Sequence, residues 1–427
     1  MSDTDNKQNS VVSEKENTKS NVRDLDCLFS LVWCNIYIRK EIFRHVELYR
    51  KNYGFKVRDS RTLYYLPTKG YIKHLTIDNI ISGYPIPFGV NALIVRGGGS
   101  TLDENSIPDS VTSLSLNKYS NIKFEEGQIP SSLTFLEVNR GFQQLNKNVV
   151  FNLNLLESLI IGDDFNLLEP NQIPSTVKTL QIGERVFRRN GELPKKIKVS
   201  RVQPKRVIGS NSIPQSVTQI IFGDYYNTSI KPNVLPSSVE SITFGLSFNK
   251  PIGLGVLPLN LTSITFDYHF DQEIKPLVLP QTLRYLKFGF EFNQAIEPFV
   301  LPESLTTLIF GCMFNQQLLP GSIPNKVEYL RFAHYFNKPI TQNDILPQSL
   351  KKLRFGTTFN SLNPDILSNL NIEELGFGMD FKIPIENKHL PPSLKILQIY
   401  NKKSIDLTNW KEINFHTYEK IKKNKIN

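Results

Sequence analysis

The apolar residues of this chain recur on a fixed period. From Pro214 to Pro324 a Leu-Pro or Ile-Pro pair returns every 22 residues, at Pro214, Pro236, Pro258, Pro280, Pro302 and Pro324. The same pair stands at Pro108, Pro130, Pro174, Pro194, Pro347 and Pro391, and two 44-residue gaps hold units anchored at Leu153 and Asn369. Fourteen anchors about 22 residues apart predict one tandem-repeat solenoid rather than a series of unrelated domains.

Each repeat has the same interior. Three residues after the anchor stands Val or Leu (Val217, Leu261, Leu305), and six after it Ile or Leu (Ile220, Ile264, Leu308). Eight after it stands Phe (Phe222, Phe244, Phe266, Phe288, Phe310, Phe332, Phe355, Phe377). Positions six and eight differ by two, so they share one face of a short strand. A glycine usually follows (Gly223, Gly245, Gly289, Gly311, Gly356, Gly378), which suits a turn that leaves the strand with positive φ. Then comes Phe-Asn, as at Phe248-Asn249, Phe292-Asn293 and Phe336-Asn337. The Asn row is expected to stack as a ladder of amides that satisfies backbone groups in the turns. The return half of each unit is too short and too rich in proline for a long helix.

Segments such as Phe248-Asn249-Lys250-Pro251-Ile252 and Leu301-Pro302-Glu303-Ser304-Leu305 resemble the FNIP repeat family, a relative of leucine-rich repeats. The resemblance spans roughly residues 67–400. It implies a mainly β solenoid of leucine-rich-repeat-like coils with parallel short strands and a small helical N-terminal cap. The first units, near Pro67 and Pro87, keep only the strand signal, and the Pro194 unit lacks the Leu-x-Phe-Gly ending, which puts its coil in question.

Outside the repeats the pattern changes. Residues 1–24 are polar and predict a disordered tail. Residues 25–60 predict a helical segment, because Leu25, Leu28, Phe29, Val32, Ile36, Phe43 and Val46 fall on a helical face. Trp33, Asn35, Arg39 and Ile42-Phe43 are similar to the segment that precedes the repeats in this family, where some members carry an F-box. Such a segment would either cover the open end of the core or join a ubiquitin ligase. The solenoid is expected over 61–400, followed by a C-terminal cap and basic tail over 401–427, with Trp410, Phe415, Tyr418 and Ile421 closing the far end.

Composition narrows the chemistry. Hydrophobic residues at 40% supply a core, and 21% charged residues argue against disorder over most of the length. The cysteines, Cys27, Cys34 and Cys312, match no zinc spacing and read as reduced thiols in a cytoplasmic or nuclear protein. The most apolar N-terminal stretch, Leu25 to Ile38, is too short to span a bilayer. None of His45, His74, His269, His334, His389 and His416 has a partner at metal-ligand spacing. Gly97-Gly98-Gly99 lacks the form that cradles phosphates. No set of nucleophile, base and oxyanion donor is gathered, so neither an enzyme nor a cofactor is expected.

Function is expected where the repeat leaves positions free. Positions five and seven point away from the core, and most carry small residues such as Ser241, Thr243, Ser263 and Thr265. Four later coils differ, carrying Tyr285 and Lys287, then Thr307 and Ile309, then Tyr329 and Arg331, then Lys352 and Arg354. Tyr and Arg are enriched at binding hot spots, so this strip predicts contact with an acidic or phosphorylated protein segment. A second candidate is the basic patch of the irregular unit: Arg185, Arg188, Arg189, Lys195, Lys196, Lys198, Arg201, Lys205 and Arg206. No RNA-binding motif accompanies it, so a nucleic-acid partner is not favoured. Two roles stay open: a protein-interaction scaffold in signalling, and a substrate adaptor of a ubiquitin ligase.

Overall fold

The computed structural model describes residues 36–97, 100, 102–116, 125, 127–138, 153–163, 167–185, 207–399 and 414–416. The coils begin at their prolines. The carbonyl of nearly every described anchor accepts the N–H three residues on, as in Val217 to Pro214 at 3.2 Å and Leu305 to Pro302 at 3.1 Å. Proline fixes φ for such a turn and has no N–H to leave unpaired. Each turn feeds one short strand, and the strands stack in parallel.

The chain enters through helix α1 (Ile36–Asn52), strand β1 (Gly54–Asp59) and the short helix α2 (Ser60–Tyr64). Strands β2 (His74–Asn79), β3 (Ala92–Val95), β4 (Ser113–Leu116), β5 (Phe135–Val138), β6 (Ser158–Ile161) and β8 (Thr179–Ile182) make the early half. The later half runs through β10 (Gln219–Phe222), β11 (Ser241–Thr243), β12 (Ser263–Thr265), β13 (Tyr285–Lys287) and β14 (Thr307–Ile309). It continues with β15 (Tyr329–Arg331), β16 (Lys352–Arg354), β17 (Glu374–Gly376), β18 (Ile396–Gln398) and β19 (Asn414–His416). Among the described residues these form one 17-stranded parallel sheet, while β7 (Leu167–Leu168) and β9 (Val207–Ile208) pair separately.

Three findings depart from the sequence-based expectations. The sheet begins at Gly54, inside the segment expected to be helical, because Phe55 and Val57 alternate inward and β1 pairs with β2. Next, β8 pairs directly with β10, with Leu180 opposite Ile220. The main sheet therefore has no strand between β8 and β10, although the anchors Pro174 and Pro214 are 40 residues apart. Lastly, the glycines after the later strands have no positive φ. They are small because the preceding coil crosses them: a Cβ on Gly356 would lie 1.2 Å from the Ala333 carbonyl oxygen, and one on Gly311 1.5 Å from that of Gly289.

The left-handed corner lies elsewhere, three residues before the anchor. Asn105, Asn171, Asn211 and Asn233 take it with φ of 65°, 65°, 58° and 59°, and Gly127, Gly255 and Gly321 take it in other coils. Asn and Gly are the residues that bear this conformation at least cost.

In the described coils positions six and eight are buried and form one continuous core. In the later half, Phe at position eight stacks on Phe at position twelve of its own coil, as in Phe266 on Phe270 at 3.8 Å and 10°. The same rings stack on neighbouring coils, as in Phe244 on Phe266 at 5.2 Å and 3°. The Asn row forms a ladder, but through the backbone rather than from amide to amide. Asn293 Oδ1 accepts the N–H of Asn315 at 2.8 Å, and Asn315 Oδ1 accepts that of Asn337 at 3.0 Å. The ladder runs from Asn227 to Lys382, with Asp271 standing in for Asn in one coil.

Candidate functional site: the outward strand face

Strand alternation sends positions five and seven outward, and parallel stacking sets them in two rows. One row runs Tyr285, Thr307, Tyr329, Lys352, Glu374; the other runs Lys287, Ile309, Arg331, Arg354, Gly376. All six residues expected to form the strip thus lie on one surface, with neighbours about 4.8 Å apart along each row. Lys287, Arg331 and Lys352 are exposed, and Tyr285, Tyr329 and Arg354 are half-buried. Partial burial raises the Tyr285 phenol above its ordinary value, the nearby Tyr329 adds to this, and a hydrogen bond with Thr265 opposes it.

The next coil completes the strip. Glu374 lies 2.6 Å from Lys352 Nζ and 3.7 Å from Arg354 Nη2. Its place in the row follows from the repeat, five residues after Asn369, yet composition gives no hint of the pairing. No ion pair reaches Arg331 among the described residues. A cleft of about 340 Å³ opens beside the strip, lined by Arg331, Arg354, His334, Thr357, Gly376 and Gln398 among others. His334 Nδ1 shares a hydrogen bond with Thr357 Oγ1 at 2.9 Å.

The basic patch has a different setting. Of its nine residues only Arg185 lies within the described part; Arg188, Arg189, Lys195, Lys196, Lys198, Arg201, Lys205 and Arg206 lie outside it. Arg185 Nε is 3.7 Å from the fully buried Asp224, and its Nη2 is 3.4 Å from Asp267. Beside it, burial raises the Tyr225 phenol, and the carboxylates of Asp163, Glu184 and Asp224 push it the same way. The one described residue of the patch therefore faces carboxylates of its own chain.

The FNIP Repeat family model matches residues 100–140, 154–185, 206–247, 248–291, 292–335 and 314–358, slightly more than half of the chain. The chain belongs to the FNIP repeat family. No curated protein matches it. Among solved structures it is similar to CroV588, described as a novel circular leucine-rich-repeat protein: 24% identity, 82% of this chain and 73% of that one, TM-score 0.27. An internalin (inlF) from Listeria monocytogenes shows 14% identity over 75% of this chain and 85% of its own, with TM-score 0.37. A leucine-rich-repeat protein from Bacteroides ovatus shows 13% identity over 80% and 78%, with TM-score 0.18.

In this FNIP repeat chain, the described residues hold no group of three or more His, Cys, Asp or Glu that could bind a metal, and no helix long and apolar enough to cross a membrane. Repeat solenoids of this type are typically protein-interaction folds with extended binding surfaces. A second ladder, of hydroxyls, also joins the coils. The hydroxyl two residues after the anchor donates to the preceding coil, as from Ser238 to the Val217 carbonyl at 2.8 Å and from Ser304 to that of Leu283 at 2.6 Å. The signal was available as the repeated Ser or Thr in that register.

Proposed function

We propose that this FNIP repeat chain is a non-enzymatic cytoplasmic scaffold that binds a protein partner, in signalling, through the strand face from Tyr285 to Arg354. The observation that carries this is the contrast along one face. Coils on the N-terminal side present Ser241, Thr243, Ser263 and Thr265, whereas β13, β15 and β16 present two tyrosines and four cations in register. The partner segment is acidic or phosphorylated, since Glu374 answers only Lys352 and Arg354. Nearby-protein labelling with the full chain and with Tyr285→Ala, Tyr329→Ala and Arg354→Ala combined tests this. Loss of a defined set of neighbours from a folded variant is the expected result, and an unchanged set rejects the face.

A second reading is favoured by α1. Val46 and Tyr49 expose apolar side chains on one face of this helix. An adaptor role through residues 25–50 would use that face to join a ubiquitin ligase. Failure of the full chain to bind a ligase adaptor subunit in vitro rejects it.

A further inference from the structure

We propose that the cleft beside the strip binds the phosphate monoester of a phosphorylated side chain on the partner, an inference that rests on the strand-face reading. Three features carry it. Arg331 and Arg354 are register partners on adjacent parallel strands, so two guanidinium groups are set side by side about 4.8 Å apart at the backbone. Like charges so placed repel, and the arrangement gains from an anion between them. Glu374 does not supply that anion in full, because it is shared between Lys352 and Arg354 and does not reach Arg331.

The second feature is the space. Where β15 and β16 carry arginine at position seven, β17 carries Gly376, and the missing side chain opens the floor of the cleft. A Cβ built there would meet Arg354 Cγ at 3.4 Å and Gln398 Cβ at 3.8 Å, so the glycine is not required by backbone crowding. It has no positive φ either. A side chain would fit the fold and would occupy the cleft.

The third feature is the charge match. Three cations against one carboxylate leave two positive charges at this end of the strip. A phosphate monoester carries about −1.5 to −2 at neutral pH, and arginine meets it with paired N–H donors. The cleft opens at the same strands as Tyr329, so a peptide lying along the tyrosines could deliver its phosphate to the arginines.

The test uses the full chain and two immobilised degenerate peptide libraries, one carrying phosphoserine, phosphothreonine and phosphotyrosine, the other unphosphorylated. The expected result is retention at least about tenfold stronger on the phosphorylated library, with a loss of similar size in Arg331→Gln combined with Arg354→Gln. Gly376→Val keeps every charge and fills the cleft; it is expected to lose binding as the arginine pair does. Lys275→Gln, exposed in the return half of its coil and outside both the strand face and the cleft, is expected to retain it. Thermal unfolding of each variant at the wild-type temperature establishes folding. Equal retention on both libraries overturns the proposal, and so does full binding by the double variant or by Gly376→Val. If inorganic phosphate raises the unfolding temperature through Arg331 and Arg354 while no phosphopeptide is retained, the ligand is a free phosphate compound and the peptide assignment falls. A partner set that depends on Tyr285 and Tyr329 but resists phosphatase and the double variant overturns the cleft and leaves the strand face standing. Phosphopeptide binding with an unchanged partner set in the face variant does the reverse.

Discussion

The early and later coils share one sheet and fill it differently. At position eight the early half carries Val95, Leu116, Val138, Ile161 and Ile182, while the later half carries Phe from Phe222 to Phe377. The phenylalanines bring a second ring, at position twelve, onto the first, so each later coil holds a stacked pair that continues into the next. The Asn ladder runs alongside this aromatic column, and the hydroxyl ladder serves both halves. The difference teaches that the sheet and the anchor turn suffice to make a coil. The rings and the amides make successive coils nearly identical, and that is where a face of unlike residues can be presented in strict register.

Five expected outcomes would break or sharpen this contrast. The largest is Phe288→Ala. The ring is buried, stacks on Phe292 at 3.8 Å and lies 5.7 Å from Phe310, so its loss is expected to cost about 3–5 kcal/mol by chemical denaturation. A loss no greater than that of an isolated surface change would show that the aromatic column does not hold the later half together. Gly356→Ala follows, because its Cβ would collide with the Ala333 carbonyl. Ala333 and Asp267 occupy the same position in other coils, so the stack can re-space around a side chain, and a cost of roughly 1–3 kcal/mol is expected. Gly376→Ala, which meets no such crowding, should stay near wild type.

Asn293→Ala removes the acceptor for the Asn315 N–H and the Gln316 side-chain amide. About 1–3 kcal/mol is expected, against roughly 1 kcal/mol for Ser132→Ala in the early half, whose hydroxyl donates to Val111 at 2.9 Å. Equal losses would mean that the amide ladder adds nothing beyond the hydroxyl one. A fourth change should stabilise. Leu277 takes φ of 64° with its side chain 79% exposed, so Leu277→Gly relieves a left-handed strain of about 1 kcal/mol. A fall in unfolding temperature would show that the side chain packs on something that matters more. The smallest effect concerns pH. Because the Tyr285 phenol is raised in the folded chain, its contribution to stability is complete below its unfolded value near 10 and is lost as pH rises through the folded value. Tyr285→Phe should flatten the decline above pH 10, and a decline of unchanged slope in the variant would remove Tyr285 as its source.

Much of this was legible in the residues themselves. The anchors gave the coil length, positions six and eight gave the core face, and five and seven gave the two outward rows, because strand alternation leaves no other choice. The glycines were legible as a column but not in their cause. Positive φ and close approach both select glycine, and only the path of the preceding carbonyl separates them. The Pro194 unit, whose missing Leu-x-Phe-Gly ending put its coil in question, is passed over by the main sheet, where β8 meets β10 directly.

By itself, then, the sequence determined the period, the parallel strands, the buried face and the family, since each depends on local pattern repeated in register. Tertiary structure decided what lies between coils. It showed that β8 meets β10 across the basic segment, that Arg185 answers Asp224 and Asp267, and that Glu374 neutralises part of the strip. It also showed that an absent side chain at Gly376 leaves a cleft beside two arginines. Those facts depend on distances across the stack, where residues 22 or more apart come within a few ångströms, and no local pattern carries them.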